Sequence, residues 1–440
     1  MDDMVARALN SQTLRFAVVG TLILVMLIPL AFVQGVTEER RRYFEVAAAD
    51  IATAWGGPQS LAGPFLVVPE NPRAATTEAG EADLPERREL RVLLPRSLDV
   101  SVEVRHQTRT RGIYQVPVYQ AVVKFSGAFV VPDPEADVRR LTDEAQLLVG
   151  ITDTHAVETM SELELGGASV PFIAGTGQAW LGNGVHADTV IPTPGVPYPF
   201  AFQLTLRGSG TLGVAPVGAT SGISMTSSWP HPSFTGRFLP SEHEIGPQGF
   251  SARWVVHELA RTLPGSWVQD SDETSLEHGY AVVSLFQPVT GYTLVDRGIK
   301  YGVLFIGLTY LTFICFEMLT AVRFHYVQYA VVGAGLVLFY LALLSLSETL
   351  PFQGSYAIAA LLLSSLVTWY VWMITRRLPL SAGVFGILIA LYLCLYVLLE
   401  LEAYALLVGT SVLFVGLSAL MYATSRLGGG REGGGRSEIF

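Results

Sequence analysis

The stretch FAVVGTLILVMLIPLAFV, residues 16–33, decides how the rest of the chain is read. It carries no charge, and at about 18 residues it is long enough as a helix to cross a hydrocarbon core of roughly 30 Å. Five more apolar runs follow Asp296, at residues 301–319, 329–346, 356–374, 383–399 and 403–422. A polar stretch separates the first run from these five. The order predicts a membrane protein with six transmembrane α-helices, one N-terminal and five C-terminal, and a large β-rich domain inserted between the first and the second.

Composition agrees with that order. Of 440 residues, 50% are hydrophobic and 15% charged, and the mean hydropathy is +0.42, too apolar for a soluble protein of this size. A formal net charge of -10 argues against nucleic acid as a partner, because phosphate charge is met by Lys and Arg. Both cysteines, Cys315 and Cys394, fall in apolar runs. The polar domain therefore cannot depend on disulfides, and at roughly 260 residues it is large enough to bury a core of its own.

Basic residues near helix ends set orientation, since they stay on the cytoplasmic side. With the N-terminus inside, Arg7, Arg15, Arg323, Arg376, Arg377, Arg426, Arg431 and Arg436 are all cytoplasmic. The opposite loops, residues 347–355 and the Glu400-Leu401-Glu402 turn, contain no Lys or Arg. Arg40, Arg41, Arg42, Arg297 and Lys300 oppose this arrangement, but a large translocated domain constrains orientation less than short loops do. The first run reads as an uncleaved anchor, being longer than a signal core and ending in Ala31-Phe32-Val33, which is not a small-x-small site. Pro29 is placed to kink it. The expected organisation is a cytoplasmic N-terminus at 1–15, the first span at 16–36, an external β-rich domain at 37–298, a five-helix bundle at 299–424, and a disordered Gly-rich cytoplasmic tail at 425–440.

Beyond Thr37 the chain continues as a helix: Tyr43, Ala47, Ile51 and Trp55 recur every fourth residue, and Gly56-Gly57-Pro58 ends the pattern. Period-two alternation follows, as in Val100, Val102 and Val104, and again in Phe202, Leu204 and Leu206. Frequent glycine and proline between such strands suit a sandwich or similar antiparallel architecture. The acidic, Ala-rich residues 70–89 read as a surface loop. In the last run Gly409 and Gly416 lie on one face, where they would let a neighbouring helix approach or serve as ordinary membrane-helix glycines.

One dense segment stands apart: Ser228-Trp229-Pro230-His231-Pro232-Ser233-Phe234-Thr235-Gly236-Arg237-Phe238-Leu239-Pro240. With Gly249-Phe250 and Trp254 after it, this segment resembles the signature of the CreD family, also called the cell envelope integrity family. The entry to the second helix is similar too, from Leu294 to Tyr301 with Leu304, Phe305, Ile306 and Phe316-Glu317. So are Gly63-Pro64, Arg111-Gly112-Ile113-Tyr114 and Pro117-Val118-Tyr119. The likeness runs from the first helix to the sixth and leaves out the tail after Gly428. It implies a bacterial inner-membrane protein with a periplasmic domain, tied to envelope stress response, a two-component system, and tolerance of colicins and cell-wall antibiotics. It supplies no catalytic residue.

No motif in the residues themselves supports catalysis, a cofactor or a metal. His257-Glu258 begins like a zincin helix, but Arg261 stands where the second histidine belongs. His231, His243 and His257 are widely spaced. A Gly-x-Ser-x-Gly elbow is absent, and Gly175, Gly177, Gly182 and Gly184 lack the Lys-Ser/Thr ending or spacing of a phosphate loop. Two features remain as candidates. Trp229, Pro230, His231, Pro232, Phe234, Arg237 and Phe238 form a stiff aromatic loop that either displays a recognition surface or, the favoured reading, anchors itself on the sheet. Glu317, the acidic residue inside a span, lies roughly 24 Å from the entry of its helix at 1.5 Å per residue. It either marks an ion path or, more simply, pairs with Arg323, His325 or a neighbouring helix. Arg297 and Lys300 read as snorkelling to the outer headgroups.

These readings point to a non-enzymatic envelope-integrity protein whose partners are the lipid bilayer and periplasmic or inner-membrane envelope proteins, with the oligomeric state open. The alternative is a transporter or extrusion protein for a lipid, peptide or antibiotic through the C-terminal bundle. A hydrolase assembled only in three dimensions is the third.

Overall fold

The computed structural model describes residues 12–70, 89–131, 144–191, 193–261, 263–269, 279–285, 291–320, 324–401 and 404–428. Most of the expected 70–89 loop, Arg7, Arg323, and the tail beyond Gly428 lie outside them. The chain forms two compact units. One comprises Met1–Phe44 with Val289–Phe440, the other Glu45–Pro288.

Six helices are present among the described residues: α1 (Gln12–Trp55), α2 (Gly291–Thr320), α3 (Tyr326–Ser347), α4 (Phe352–Thr375), α5 (Leu378–Glu400) and α6 (Ala405–Gly428). The helix α1 is continuous through Pro29 over 44 residues, so the apolar run and the period-four segment after it are one element. Helices α1 to α5 each hold a window apolar enough to span a bilayer, and α6 adds 24 residues.

Eighteen strands follow α1 among the described residues. The first half holds β1 (Gln59–Glu70), β2 (Glu89–Leu93), β3 (Ser97–Arg111), β4 (Tyr114–Val130), β5 (Glu144–Ile151), β6 (Val157–Met160), β7 (Leu163–Leu165), β8 (Ala168–Val170) and β9 (Ile173–Ala174). The second half holds β10 (Gly184–Val190), β11 (Pro197–Ser209), β12 (Thr211–Val214), β13 (Thr220–Ser227), β14 (Ser233–Gly236), β15 (Glu242–Gly246), β16 (Gly249–His257), β17 (Ser266–Val268) and β18 (Ala281–Ser284). They make two nine-stranded sheets, β14-β18-β12-β1-β5-β10-β9 with β2 and β17, and β15-β16-β13-β3-β4-β11-β7-β8 with β6. Inward residues of both sheets, among them Leu61, Leu147, Val102, Phe125, Leu206 and Trp254, share one core. Alternation along β3, buried at Leu98, Val100, Val102 and Val104, is the one-sided pattern that drives this packing. The sheets are not wholly antiparallel. β1 pairs with β12 and β3 with β13 in parallel, a pairing that alternation within a strand cannot disclose.

At the stem end of this unit Tyr119 joins the two sheets. Its ring, 1% exposed, lies where a Cβ on Gly208 would collide with it. The hydroxyl donates to the Thr211 carbonyl at 2.8 Å and accepts from the Gln59 backbone amide, while burial pushes the phenol pKa up. Its own carbonyl accepts the Trp55 indole N–H at 3.3 Å.

The helical unit obeys the rule that polar groups in an apolar medium find partners inside the fold. Thr309, Thr312, Thr375, Ser381, Thr410, Ser411 and Ser418 each donate to the carbonyl four residues back. Two tyrosines tie helices together: Tyr310 donates to the Tyr329 carbonyl at 2.9 Å and Tyr356 to the Tyr392 carbonyl at 2.6 Å. Gly333 leaves the space that the Tyr310 hydroxyl occupies. Gly298 and Gly302, one turn apart on α2, receive the Tyr340 ring, a small-x-x-x-small notch. Gly416 meets Leu308 of α2, whereas Gly409 faces Leu398 of α5, so the two glycines serve different neighbours.

Tyr119→Phe removes the donor to Thr211 and the acceptor for Gln59, and is expected to destabilise the β unit by about 1–3 kcal/mol, read from thermal unfolding of the detergent-solubilised chain. Gly333→Ala drives a methyl against the Tyr310 hydroxyl, and the bundle should lose about 1–3 kcal/mol in the same assay.

Candidate functional site

The segment 228–240 begins where β13 ends. The Trp229 amide donates to Ser227 Oγ at 3.1 Å, and its indole N–H turns back to the His231 carbonyl at 2.9 Å. That closure leaves the Trp229 side chain buried, 8% exposed. His106 of β3 packs edge-on against it, with ring centroids 5.5 Å apart, and its Nδ1 lies 2.8 Å from Ser228 Oγ. After Pro230 and Pro232, β14 pairs with β18 and directs Phe234 among Phe250, Trp254 and His243. The Arg237 amide donates to the Tyr280 carbonyl at 3.1 Å. The Phe238 carbonyl accepts the Trp254 indole at 3.0 Å, and Phe238 is half-buried.

The aromatic rings of this loop thus face the fold, and what it presents outward is His231, Arg237 and Leu239 beside the hydroxyls of Ser228, Ser233 and Thr235. A surface of one imidazole, one guanidinium, three hydroxyls and one aliphatic side chain suits contact with a polar partner. His231, His243 and His257 occupy separate places: a loop, the underside of Phe234, and the outer face of β16 opposite Thr220. Among the described residues no three metal-ligating side chains cluster. Arg261, at the position of the missing zincin histidine, instead donates to the Val217 carbonyl and lies 3.5 Å from Glu258. Burial lowers its pKa, and Glu258 offsets part of that.

Glu317, half-buried in α2, accepts a hydrogen bond from the Tyr329 hydroxyl of α3 at 2.9 Å. The neighbouring helix is therefore one partner of the carboxylate. His325 caps α3 together with Gln328. A shallow crevice between α2, α3 and α4, lined by Phe313, Phe324, Gln328, Tyr329, Tyr370 and Val371, adjoins this pair. Lys300 pairs with Asp296 one turn back at 2.8 Å.

One cluster eluded the sequence reading. The Trp55 ring, half-buried at the end of α1, lies between two guanidinium groups, Arg109 at 4.0 Å and Arg207 at 5.0 Å from its centroid. Arg207 also pairs with Glu158 at 3.2 Å, and Arg111 with Asp50 at 2.9 Å. The β3–β4 hairpin is in this way fastened to the last turns of α1. Cation–π contacts contribute about 0.5–1 kcal/mol each at exposed sites. The signal available in sequence was the run of Arg105, Arg109 and Arg111 on a strand whose last seven residues alternate in nothing. Replacing Trp55 with leucine keeps bulk but removes the ring face and the N–H. It is expected to raise protease cleavage within the hairpin several-fold, read by limited trypsin digestion.

Comparison with known proteins gives a family. The family model described as "Inner membrane protein CreD" matches residues 11–428. The chain is 32% identical over 420 residues to Inner membrane protein CreD of Escherichia coli (strain K12), covering 92% of this chain and 91% of that one. Likeness to solved structures is slight. A crystal structure from Legionella pneumophila subsp. pneumophila str. Philadelphia 1 gives a TM-score of 0.29 at 8% identity, covering 49% of this chain and 77% of that one. Leukotriene A4 hydrolase from Saccharomyces cerevisiae gives 0.24 at 10%, covering 43% and 28%.

Proposed function

Because the chain belongs to the CreD family of inner membrane proteins, we propose that it is a non-enzymatic envelope-integrity protein of the stress response, acting through a periplasmic domain that contacts partners or ligands. The chain is a multi-pass inner membrane protein. In this proposal its N- and C-termini lie in the cytoplasm and the β-rich unit lies outside. The observation that carries it is the placement of that unit: Glu45–Pro288, with a core of its own, is inserted between an apolar helix and an apolar bundle. The arginines at the ends of the bundle helices support the orientation. A rigidly built loop exposing His231, Arg237 and Leu239 supports contact over chemistry, since ordering costs little where the backbone is already fixed. The Tyr329 bond to Glu317 supports a structural carboxylate over an ion path. Colicin and antibiotic tolerance belong to the same proposal as its outward phenotypes.

Two measurements test it. With Cys315 and Cys394 replaced by serine, a single cysteine at the exposed position Ile113 is expected to react with a membrane-impermeant maleimide in spheroplasts. Labelling only after lysis would place the unit in the cytosol and end the proposal. Glu317→Gln is expected to leave antibiotic and colicin phenotypes unchanged, and their loss with the protein still inserted would favour proton-coupled transport.

A further inference from the structure

The outer face of the sheet containing β1 carries an aromatic cluster unconnected with the 228–240 loop. The register of β1 on β5 shifts between Ala62 and Phe65, an extra residue at the Gly63-Pro64 element that turns Phe65 away from the intersheet core. Phe65 pairs with Leu148, Leu148 with His186, and Val67 with Gln146, and this face also holds the exposed Asp188. The edge strand β17 places Trp267 opposite Val92, and Val92 opposite Val67, on the same side. Trp180 arrives from the 175–184 loop, whose Gly177 and Gly182 adopt φ of 65° and 71° and whose Thr176 hydroxyl donates to the Gly182 carbonyl at 2.6 Å. The three rings meet edge to face, with Trp180 5.1 Å from Phe65 and 5.7 Å from Trp267.

Among the described residues, two polar atoms of these elements are closed to solvent and have no partner: the Trp180 indole N–H and the Gln269 side-chain carbonyl. Gln269 follows Trp267 by two residues, on the same side of the strand line, and its amide donates to the Leu90 carbonyl at 2.8 Å. Buried donors and acceptors nearly always have partners. Here one uncharged donor and one uncharged acceptor remain beside the partly exposed rings of Trp180 and Trp267, with Phe65 fully buried beneath them. Moreover, β17 pairs only with β2 among the described residues. Gly265 and Gln269 bond to β2 through their main chain, so the backbone groups of Ser266 and Val268 point to the other edge.

We infer that the Phe65–Trp180–Trp267 cluster, with Gln269 and the edge of β17 that no described strand pairs, binds an extended, uncharged peptide segment of an envelope partner. One extended segment answers all of these features. A carbonyl of it accepts from the Trp180 indole, an N–H donates to Gln269, its flanking backbone adds to β17, and an apolar side chain rests on the tryptophan rings. The indole swings outward on the 175–184 loop to expose its N–H to that carbonyl. A sugar fits less well, because it has no main-chain amides to pair with the edge of β17. This assignment rests on the proposed external placement of the unit for its biological partner, though not for the binding itself.

The test uses the full chain in nanodiscs, labelled with ¹⁵N at its seven tryptophan indoles, with the Trp180 resonance identified from Trp180→Phe. It is titrated with a capped hexapeptide of alternating valine and threonine and, separately, with the N-acetylglucosamine tetramer. The peptide is expected to move the Trp180 N–H signal saturably downfield, and Gln269→Leu to weaken that binding by about tenfold at an unchanged melting temperature. An unmoved Trp180 signal, wild-type affinity in Gln269→Leu, or a response to the sugar alone would each overturn the inference. The titration reads the site on either side of a membrane. A cytosolic unit found by maleimide labelling would therefore refute the proposed function and leave this result standing.

Discussion

The Tyr119 side chain fills the space over Gly208 and from there reaches Thr211 and Gln59 of the opposite sheet, while its carbonyl holds the Trp55 indole. Three places distant in sequence are thereby referred to one residue: the junction of α1 with β1, the long hairpin β3–β4, and the start of β12. A phenol so buried stays neutral, hence a donor, at any pH the protein meets, since burial raises its pKa. The arginines flanking Trp55 add to the same junction from the solvent side. Without it, the last turns of α1 and the hairpin would be held by surface ion pairs, which are individually weak.

Much of this architecture could be read in the sequence because solvent imposes periodicity. A strand with one wet face must alternate, and Val100, Val102 and Val104 say so; a helix in lipid needs a continuous apolar run, and residues 16–33 say so. What could not be read were relations without a period. The parallel pairing of β1 with β12 depends on which strands meet, and nothing local records that. The shift that turns Phe65 outward hides in an ordinary-looking Gly63-Pro64. Tyr119 was visible only as part of a family-like Pro117-Val118-Tyr119, and Gly208 only as turn punctuation. In the candidate loop, the prolines and aromatics were legible as stiffness. That the aromatics anchor the loop on the sheet is the favoured reading of the sequence; the indole bond from Trp229 to the His231 carbonyl, which closes the loop, is a short-range choice the sequence does not dictate.

The bundle shows the same division. Hydroxyls returned to the carbonyl of the previous turn follow directly from removing water. The interhelical bonds of Tyr310 and Tyr356 are specific, and each requires its partner helix at one rotation and depth. Gly333, and less strictly Gly302, are where neighbouring aromatic groups demand the absence of a side chain. Glu317 and Tyr329 extend that logic to an acid, which is tolerable near apolar surroundings when a donor meets it.

The two parallel pairings also govern the order in which the domain can assemble. β1 must wait for β12, and β3 for β13, so each sheet lacks an inner neighbour until well over half of the unit has been synthesised. Long-range closure of this kind slows folding and lengthens the time that strand edges are bare. During that interval the nascent chain presents apolar edges to its surroundings, and β1 through β5 are the stretch left bare longest.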